Sequence, residues 1–498
     1  MRMRRNLIAG LSNSVWSAMV GLVAVPFYLK YLGIEAYGLI GFFVMAQAIL
    51  TLLDLGLSPT INREVARNSA TGDISESGGL LHSLAVVFWV MAGLIALLFF
   101  TLSSVIAEYW LQANNLPQDT VVNAIILMGL VIACRWPVGL YQGALIGAQR
   151  LTIYCGINAA MVTLGSLGAV AVLAFISPTI EAFFIWQACV GLLFAVTMRY
   201  AAWRVVGRMP GVRFDLDCLK KIWRFTAGVG AIGVTSLVFT QLDKIILSKL
   251  LVLEEFGHYM LATVVISGLY VLVTPLFNVM YPRFSALVAA GKTEKLIDLY
   301  RLGTRMLATV LFPVAMLLAV FSEDLVFLWT GDQNIALSVG PIISLLVLGS
   351  ALNGVMYFPY ALQLAYGMTW IPLTINIVLM LFLAPLIIYL AQAYGAIGGA
   401  MAWLFSEAVY VMFGPWLTHR HLLKGFGLKW LFQDVGGPLI LSSLIGVIAY
   451  FVMPEGEYSG YEKIMWAIAM FSFTPIIMLL MSRKLRVAVR GCVKWSKS

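Results

Sequence analysis

Charge is the scarcest ingredient of this sequence. Asp, Glu, Lys and Arg make up 11% of its 498 residues, against about 25% in a soluble globular domain, so an ordinary water-exposed fold is excluded. Cysteine is scarce too. Cys134, Cys155, Cys189, Cys218 and Cys492 lie in apolar runs or on the expected inner side, without metal-ligand spacing, so neither a disulfide framework nor a cysteine metal centre is expected. Long polar loops are missing, which leaves no place for a sizeable catalytic domain outside the membrane. A cleavage site is missing as well: Met1-Arg-Met-Arg-Arg5 leads into an apolar run that continues past Asn13 and Trp16 to Tyr31, and this reads as an uncleaved first span. What remains is 61% hydrophobic, with a mean hydropathy of +0.93. These figures describe an all-α, polytopic membrane protein.

A bilayer core takes about 20 apolar residues per helix, and that window finds about fourteen spans. The first six run approximately over 7–30, 37–58, 79–105, 120–147, 151–176 and 180–200, and the next six over 225–249, 256–288, 302–321, 337–365, 369–390 and 394–416. Two more follow at about 435–453 and 463–482. With both termini inside, twenty-seven of the thirty-two Lys and Arg fall on the inner side, only Lys30, Lys249 and Lys463 fall outside, and Arg135 and Lys244 lie within spans. The outer loops carry Glu108, Asp119, Glu323, Asp324, Asp332, Glu455 and Glu457. Short loops rich in Lys and Arg stay cytoplasmic, so this sorting sets the orientation.

The basic stretch from Arg199 to Arg224 divides the chain. It contains Arg199, Arg204, Arg208, Arg213, Lys220, Lys221 and Arg224, and with Trp203 and Trp223 at the membrane boundary it reads as a cytoplasmic connector rather than a nucleic-acid site. Fragments on either side match at nearly constant offset. Ile34-Glu35-Ala36-Tyr37-Gly38 corresponds to Leu253-Glu254-Glu255-Phe256-Gly257, and Gly72 to Gly291, each 219 residues on; Ala144-Leu145 corresponds to Ala361-Leu362, Thr152 to Thr369 and Trp186 to Trp403, each 217 on. The expected organisation is a six-helix lobe at 1–200, the connector at 201–224, a second six-helix lobe at 225–418, and two additional helices with a basic tail at 419–498. An even number of spans in each half makes the repeats parallel, about an axis along the membrane normal.

Polar residues mark the interior. Asn6, Gly10, Asn13, Ser17 and Gly21 share a face of the first span, as a packing seam or a cavity wall; Gln47, Thr51, Asp54 and Ser58 share a face of the second, which Asp54 favours as a cavity wall. In the fourth span Arg135, Gly139, Gln142 and Gln149 lie near one face, and Gly139, Gly143 and Gly147 allow close helix approach. A lone guanidinium in apolar surroundings costs at least about 2.5 kcal/mol, so Arg135 requires a bound anion or a carboxylate such as Asp54 or Glu407. Asp243 and Lys244 are adjacent, their side chains about 100° apart, and are expected to seek separate partners, with Lys244 able to snorkel to the outer interface. Glu407, near mid-depth of the twelfth span, is either a structural glutamate or the group that exchanges a proton. Substrate-binding candidates are Arg135, Lys244, Gln142 and Asn13; ion-coupling candidates are Glu407, Asp54 and Asp243; no metal site is expected. Pro26, Pro275, Pro282, Pro313, Pro359 and Pro372 are expected to interrupt helices. The pair His419 and His421 could bind a metal, and Asp215-Leu-Asp217 resembles a glycosyltransferase metal pair, but a helix cap explains the latter better.

Tyr31-Leu32-Gly33 leading to Tyr37-Gly38, Asp54-Leu55-Gly56-Leu57 followed by Arg63, and Gln241-Leu242-Asp243-Lys244-Ile245-Ile246-Leu247 leading to Phe256-Gly257-His258-Tyr259 together resemble the Wzx-type polysaccharide flippases of the multidrug/oligosaccharidyl-lipid/polysaccharide exporter superfamily. The resemblance covers nearly the whole chain. It implies a transporter, not an enzyme, that moves undecaprenyl-diphosphate-linked oligosaccharide (O-antigen or a related surface polysaccharide precursor) from the inner to the outer leaflet of the bacterial inner membrane by alternating access. It also implies an H+ or Na+ gradient as the energy source and no cofactor. Lateral entry near the first and eighth spans would suit Pro26 and Pro275, and the last two spans would receive the lipid tail. Polysaccharide polymerase or ligase machinery and membrane lipids would be partners of a monomer. Few basic residues lie deep in the spans, which argues against a strongly anionic glycan. The alternatives are a small-molecule or multidrug exporter of the same superfamily and a membrane glycan polymerase or ligase. The latter calls for a large outer loop bearing clustered Arg, His or carboxylates.

Overall fold

The computed structural model describes residues 2–54, 56–71, 77–207, 234–423, 427–452 and 460–481. Among the described residues the fold is helical throughout, without β-strands, and a single isolated bridge joins Gln112 to Val252. Among the described residues, ten helices are long and apolar enough to cross a membrane. Two of them are twice the needed length: Ala9–Asp54 with 46 residues and Trp370–Leu422 with 53. Each contains a glycine with non-helical backbone, Gly33 (φ 78°, ψ 170°) and Gly395 (φ 58°, ψ −138°). Positive φ costs glycine nothing, so the helix breaks there and each long run is divided into two segments. The protein is a multi-pass membrane protein, and its compact units are Met1–Gly257 and His258–Ser498.

The first unit contains α1 (Arg2–Leu50), a 3₁₀ turn (Thr51–Asp54), α2 (Leu57–Thr71), α3 (Ser77–Tyr109), α4 (Gln118–Arg135), α5 (Val138–Gly147), α6 (Leu151–Phe175), α7 (Ile180–Val206) and α8 (234–250); α9 (Leu253–Ser267) crosses the division. One end of the unit packs around Ile61, Leu81, Leu84, Phe88, Tyr141, Leu145 and Met198 from α2, α3, α5 and α7. The glycine track of α5 lies on α2: a Cβ at Gly143 would stand 2.6 Å from the Ser58 carbonyl oxygen, and one at Gly147 would strike the Asn62 carbonyl. The polar stripe of α1 is a seam with α6. Asn158 Nδ2 donates to Asn13 Oδ1 (3.0 Å) and Ser17 Oγ (3.5 Å), Trp16 Nε1 to Thr163 Oγ1 (2.9 Å), and Tyr28 Oη to the Ser166 carbonyl (3.0 Å). At the division, a Cβ on Gly38 would strike the Leu253 carbonyl, while one on Gly257 would lie 2.5 Å from the Ile34 carbonyl and 3.2 Å from Gly38 N.

The second unit holds α10 (Tyr270–Ala289), α11 (Thr293–Val320), α12 (Ser322–Thr330), α13 (Gln333–Ala365), α14 (Trp370–Leu422), the short α15 (Gly427–Lys429) running into a π-helical turn (Trp430–Gly436), α16 (Gly437–Val452) and α17 (Gly460–Met481). The last two helices pack on the end of α11 through Phe321, Ala449, Ala467 and Phe471 with Met316, Leu317 and Val320. At the other end of α16, the buried Asp434 accepts from Arg301 (Nε–Oδ2 2.8 Å, Nη2–Oδ1 3.2 Å) and from Arg305 Nε. Trp430 Nε1 donates to Thr304 Oγ1 at 3.1 Å, and its ring stacks on Tyr300 at 6.2 Å.

Several local expectations are corrected. The prolines do not interrupt their helices: Pro26, Pro275, Pro282, Pro313 and Pro359 lie inside continuous helices, and Pro372 falls in the first turn of α14, where its missing N–H costs nothing. The expected span 120–147 appears as one candidate crossing, Gln118–Gly147, with only a local interruption at Trp136-Pro137, whereas 256–288 is divided at Gly268-Leu269 and its candidate crossing begins at Tyr270. Ser58 belongs to α2 rather than to the second crossing, because Gly56 (φ 88°) reverses the chain. The span expected from 435 already begins at Trp430. Arg208, Arg213, Lys220, Lys221, Arg224, Asp215, Asp217, Cys218, Trp223, Gly72, Glu455, Glu457, Cys492 and the basic tail lie outside the described residues.

Candidate transport site

A cavity of about 600 Å³ opens inside the first unit, walled by α1, α2, α3, α4, α5, α6 and α7. Its floor is apolar, with Phe43, Phe88, Ile132, Phe183 and Val190, and a limited set of polar groups faces it: Gln47, Thr51, Asp54, Arg135, Gln142, Asn158 and Gln187. Helical spacing accounts for the first three, since α1 and the 3₁₀ turn present positions 47, 51 and 54 on one side.

Arg135 ends α4 and is held from two directions. Its Nη2 donates to Gln187 Oε1 at 2.5 Å, and its guanidinium lies 6.0 Å from the Phe43 ring centre. Gln187 is itself fixed, donating through Nε2 to the Gly165 carbonyl at 3.2 Å. Behind the arginine, a Cβ at Gly191 would come within 3.0 Å of Arg135 Cγ, so the absence of a side chain there makes room for it. A guanidinium carries five N–H donors, and among the described residues its hydrogen-bond partner is Gln187. The carboxylate expected as one alternative, Asp54, lines the same cavity but is occupied elsewhere. Its Oδ1 accepts from Ser58 N and Ser58 Oγ, both at 3.1 Å, at the start of α2, where the helix dipole favours negative charge. Trp136 also lines the cavity, and its Nε1 is buried without an acceptor among the described residues. A buried donor left unsatisfied costs about 1–3 kcal/mol, and this one is enclosed rather than exposed to the cavity. The space therefore combines a positive group and carboxamides with apolar walls, which is chemistry for an anion attached to something larger.

The other expected residues are distributed as follows. Gln142 lines the cavity. Asn13 stands behind it and orients Asn158, whose side chain is the one in the wall. Asp243 and Lys244 do pair, contrary to the expectation from their angular separation: Lys244 Nζ reaches Asp243 Oδ1 at 3.2 Å and also donates to the Thr240 carbonyl at 3.1 Å. The lysine stem is long enough to bend back along the helix, toward Thr240 and away from the C-terminal end to which snorkelling would carry it. Glu407 is fully buried in the second unit and accepts from Asn353 Nδ2 at 3.1 Å through both oxygens, while Tyr270 Oη donates to Asn353 Oδ1 at 3.2 Å. His419 bonds Tyr300 Oη at 2.9 Å, whereas His421 lies against Trp370 and bonds the Leu417 carbonyl. Among the described residues no group of His, Cys, Asp and Glu is arranged to hold a metal. Cys134, Cys155 and Cys189 are free thiols.

Gln187, Asn158, Trp136, Asn353 and Tyr270 were not legible as site residues. Each stands alone in an apolar run, which gives no periodic signal; a buried amide one helical turn from a glycine, as Gln187 is from Gly191, is the nearest thing to one.

The model of a family described as polysaccharide biosynthesis protein matches residues 30–339, well over half of the chain. The chain belongs to this family. It is a member of the Wzx-type flippases of the multidrug/oligosaccharidyl-lipid/polysaccharide exporter superfamily that its motifs resemble. Among its relatives are a putative O-antigen transporter of Shigella flexneri, 22% identical over 426 residues that cover 82% of this chain and 98% of the relative, and the lipopolysaccharide biosynthesis protein WzxC of Escherichia coli K12, 23% identical over 498 residues that cover 95% and 94%. The solved structure of the lipid II flippase MurJ in an inward closed conformation aligns with a TM-score of 0.67 at 15% identity, covering 95% of this chain and 98% of MurJ. At that identity the likeness speaks for the fold, which is that of this exporter superfamily.

Proposed function

We propose that this Wzx-type protein translocates a lipid-linked oligosaccharide, joined to its polyprenyl carrier through a diphosphate, from the cytoplasmic to the outer leaflet of a bacterial inner membrane. The observation that carries the reading is the cavity around Arg135. A guanidinium braced by Gln187 and Phe43 suits a phosphate oxygen, and the carboxamides of Gln142, Asn158 and Gln47 suit sugar hydroxyls. Fourteen crossings are supported by counting two in each of the glycine-broken long helices and adding the 234–250 and Gly460–Met481 helices to the rest. A duplicated architecture is supported by the sequence repeat, in which Ile34–Gly38 corresponds to Leu253–Gly257 at an offset of 219. Orientation rests on the sorting of Lys and Arg. For energy coupling, Glu407 is the group we assign to proton exchange, with Asn353 and Tyr270 holding it. The protein acts as a carrier of its substrate, not on its bonds.

The test uses the purified full chain in liposomes with a fluorescent lipid-linked oligosaccharide, whose accessibility to an external glycosidase is followed under imposed pH or sodium gradients. Gradient-dependent transfer supports the reading and identifies the ion. If folded protein moves no lipid under either gradient while it moves small organic cations, the exporter alternative replaces it.

A further inference from the structure

A second cavity, about 350 Å³, lies on the first unit between α3 and α7, lined by His82, Val86, Trp89, Val90, Arg199 and Trp203. It is separate from the Arg135 cavity and shares no lining residue with it. His82 is about 8 Å from the start of α3 and Arg199 about 10 Å from the end of α7 at 1.5 Å per residue, so the two basic side chains lie at one level near the same end of an antiparallel pair. The groove is held open by the core behind it. Trp89 Nε1 donates to the hydroxyl of Tyr141, a fully buried residue, at 3.4 Å, and Trp203 lies over Gly78, where a Cβ would come within 3.9 Å of its ring. Arg199 is exposed, and among the described residues neither it nor His82 has a hydrogen-bond or ion-pair partner.

What continues from the groove identifies its occupant. Along α3 the exposed residues Val86, Val90, Leu94 and Leu97 form one stripe, with Leu192 and Val196 of α7 beside them. From position 86 to position 97 the stripe runs about 16 Å, close to the thickness of one leaflet, half of a hydrocarbon core of about 30 Å. A cationic pocket between two indole rings at the membrane boundary, with an apolar track one acyl chain long leading inward, matches a lipid by both charge and length. We infer that this groove binds an anionic glycerophospholipid, its phosphodiester on Arg199 and His82, its headgroup between Trp89 and Trp203 and its acyl chains along α3. On the positive-inside orientation the lipid belongs to the cytoplasmic leaflet. The inference depends on the chain being embedded in a membrane and not on what it transports.

Native mass spectrometry of the delipidated full-length protein, titrated with phosphatidylglycerol or phosphatidylcholine, tests this. Wild-type protein should retain phosphatidylglycerol in preference, and Arg199→Gln should raise the half-saturating concentration about tenfold, the scale of one charge-assisted hydrogen bond, with recovery in Arg199→Lys. Trp203→Leu should weaken both lipids, because the ring contact does not depend on headgroup charge. Arg135→Gln should leave the titration unchanged, which separates this groove from the transport cavity. Monodisperse elution of each variant excludes misfolding as the cause of a loss. Equal retention of the two lipids, indifferent to Arg199→Gln, would overturn the proposal. So would displacement of the lipid by millimolar inorganic phosphate, which marks a free-anion site, or preferential retention of undecaprenyl phosphate, which marks a site for the carrier lipid.

Discussion

Replacing Asp434 by Asn should release the π-helical turn and the start of α16 from α11. The carboxylate is fully buried and faces two guanidinium groups whose side chains are 22% and 23% exposed. At an effective dielectric of about 20, a pair of unit charges about 4 Å apart interacts by about 4 kcal/mol. The partial exposure of both arginines admits screening, so about half of that, or about 2 kcal/mol for each pair, is a reasonable value. Asparagine keeps one acceptor oxygen and recovers about 1 kcal/mol, which leaves a net loss of about 3 kcal/mol, at the lower edge of what breaking buried ion pairs costs. Hydrogen exchange reads this directly, since amides that open locally exchange according to the local opening free energy. Protection over Trp430–Gly436 and the first turns of α16 should fall by about two orders of magnitude, while α4 and α7 in the other unit remain unchanged. Replacing Asp434, Arg301 and Arg305 together by Leu, Met and Met should restore most of the protection, because the uncompensated charges are then gone. Unchanged exchange in Asp434→Asn would mean that the apolar contacts of Phe321, Ala449 and Phe471 hold α16 alone, and the ion-pair argument would fail.

Three further outcomes follow from the geometry. Arg135→Gln, which keeps donors facing the cavity but removes the charge, should raise the half-saturating concentration for a diphosphate-linked substrate by at least about tenfold in the liposome assay; transport indistinguishable from wild type would take Arg135 out of the site. Glu407→Gln retains a partner for Asn353 and should therefore fold, but translocation should stop responding to a pH gradient, so a persisting response would transfer coupling to another group. Gly38→Ala and Gly257→Ala each push a methyl into a facing carbonyl and should cost about 1–3 kcal/mol, seen as earlier thermal aggregation in detergent, whereas Gly21→Ala, with open space around its Cβ, should be neutral or stabilising.

Which of these features could be seen in the chain alone depends on the range of the physics involved. Hydrophobic runs and polar stripes are properties of a helix by itself, so the crossings and the row of Gln47, Thr51 and Asp54 could be read directly. Helix ends were less accessible. The prolines looked like breaks because an isolated helix has no other way to satisfy the carbonyls they free, whereas helices packed in a bilayer do; the breaks at Gly33 and Gly395 fall at the joins expected between 7–30 and 37–58 and between 369–390 and 394–416. Asp243 and Lys244 were set apart by the angle between their Cβ directions, a rule that suits short side chains and fails for one with four methylenes. Asp434 escaped notice because it lies at the edge of an apolar run, where a carboxylate reads as loop; only the approach of α11, more than a hundred residues earlier in the chain, turns it into a buried anchor.

The two groups proposed for substrate binding and proton exchange, Arg135 and Glu407, lie in different compact units, and this bears on how coupling could work. Arg135 is braced by Gln187, Gly165 and Phe43, all in the first unit, and Glu407 by Asn353 and Tyr270, all in the second. A proton on Glu407 therefore does not compete with a phosphate on Arg135 for the same donors. Coupling through a conformational equilibrium needs no shared donor, and a ligand biases such an equilibrium only by its difference in affinity for the two states. Linkage then makes the effect reciprocal: a change in pH that alters substrate affinity by some factor requires the substrate to alter proton affinity by the same factor. Proton uptake or release on substrate binding, measured in weakly buffered solution and abolished in Glu407→Gln, would carry that signature. Substrate binding without proton exchange, alongside pH-dependent affinity that survives Glu407→Gln, would place the titrating group elsewhere.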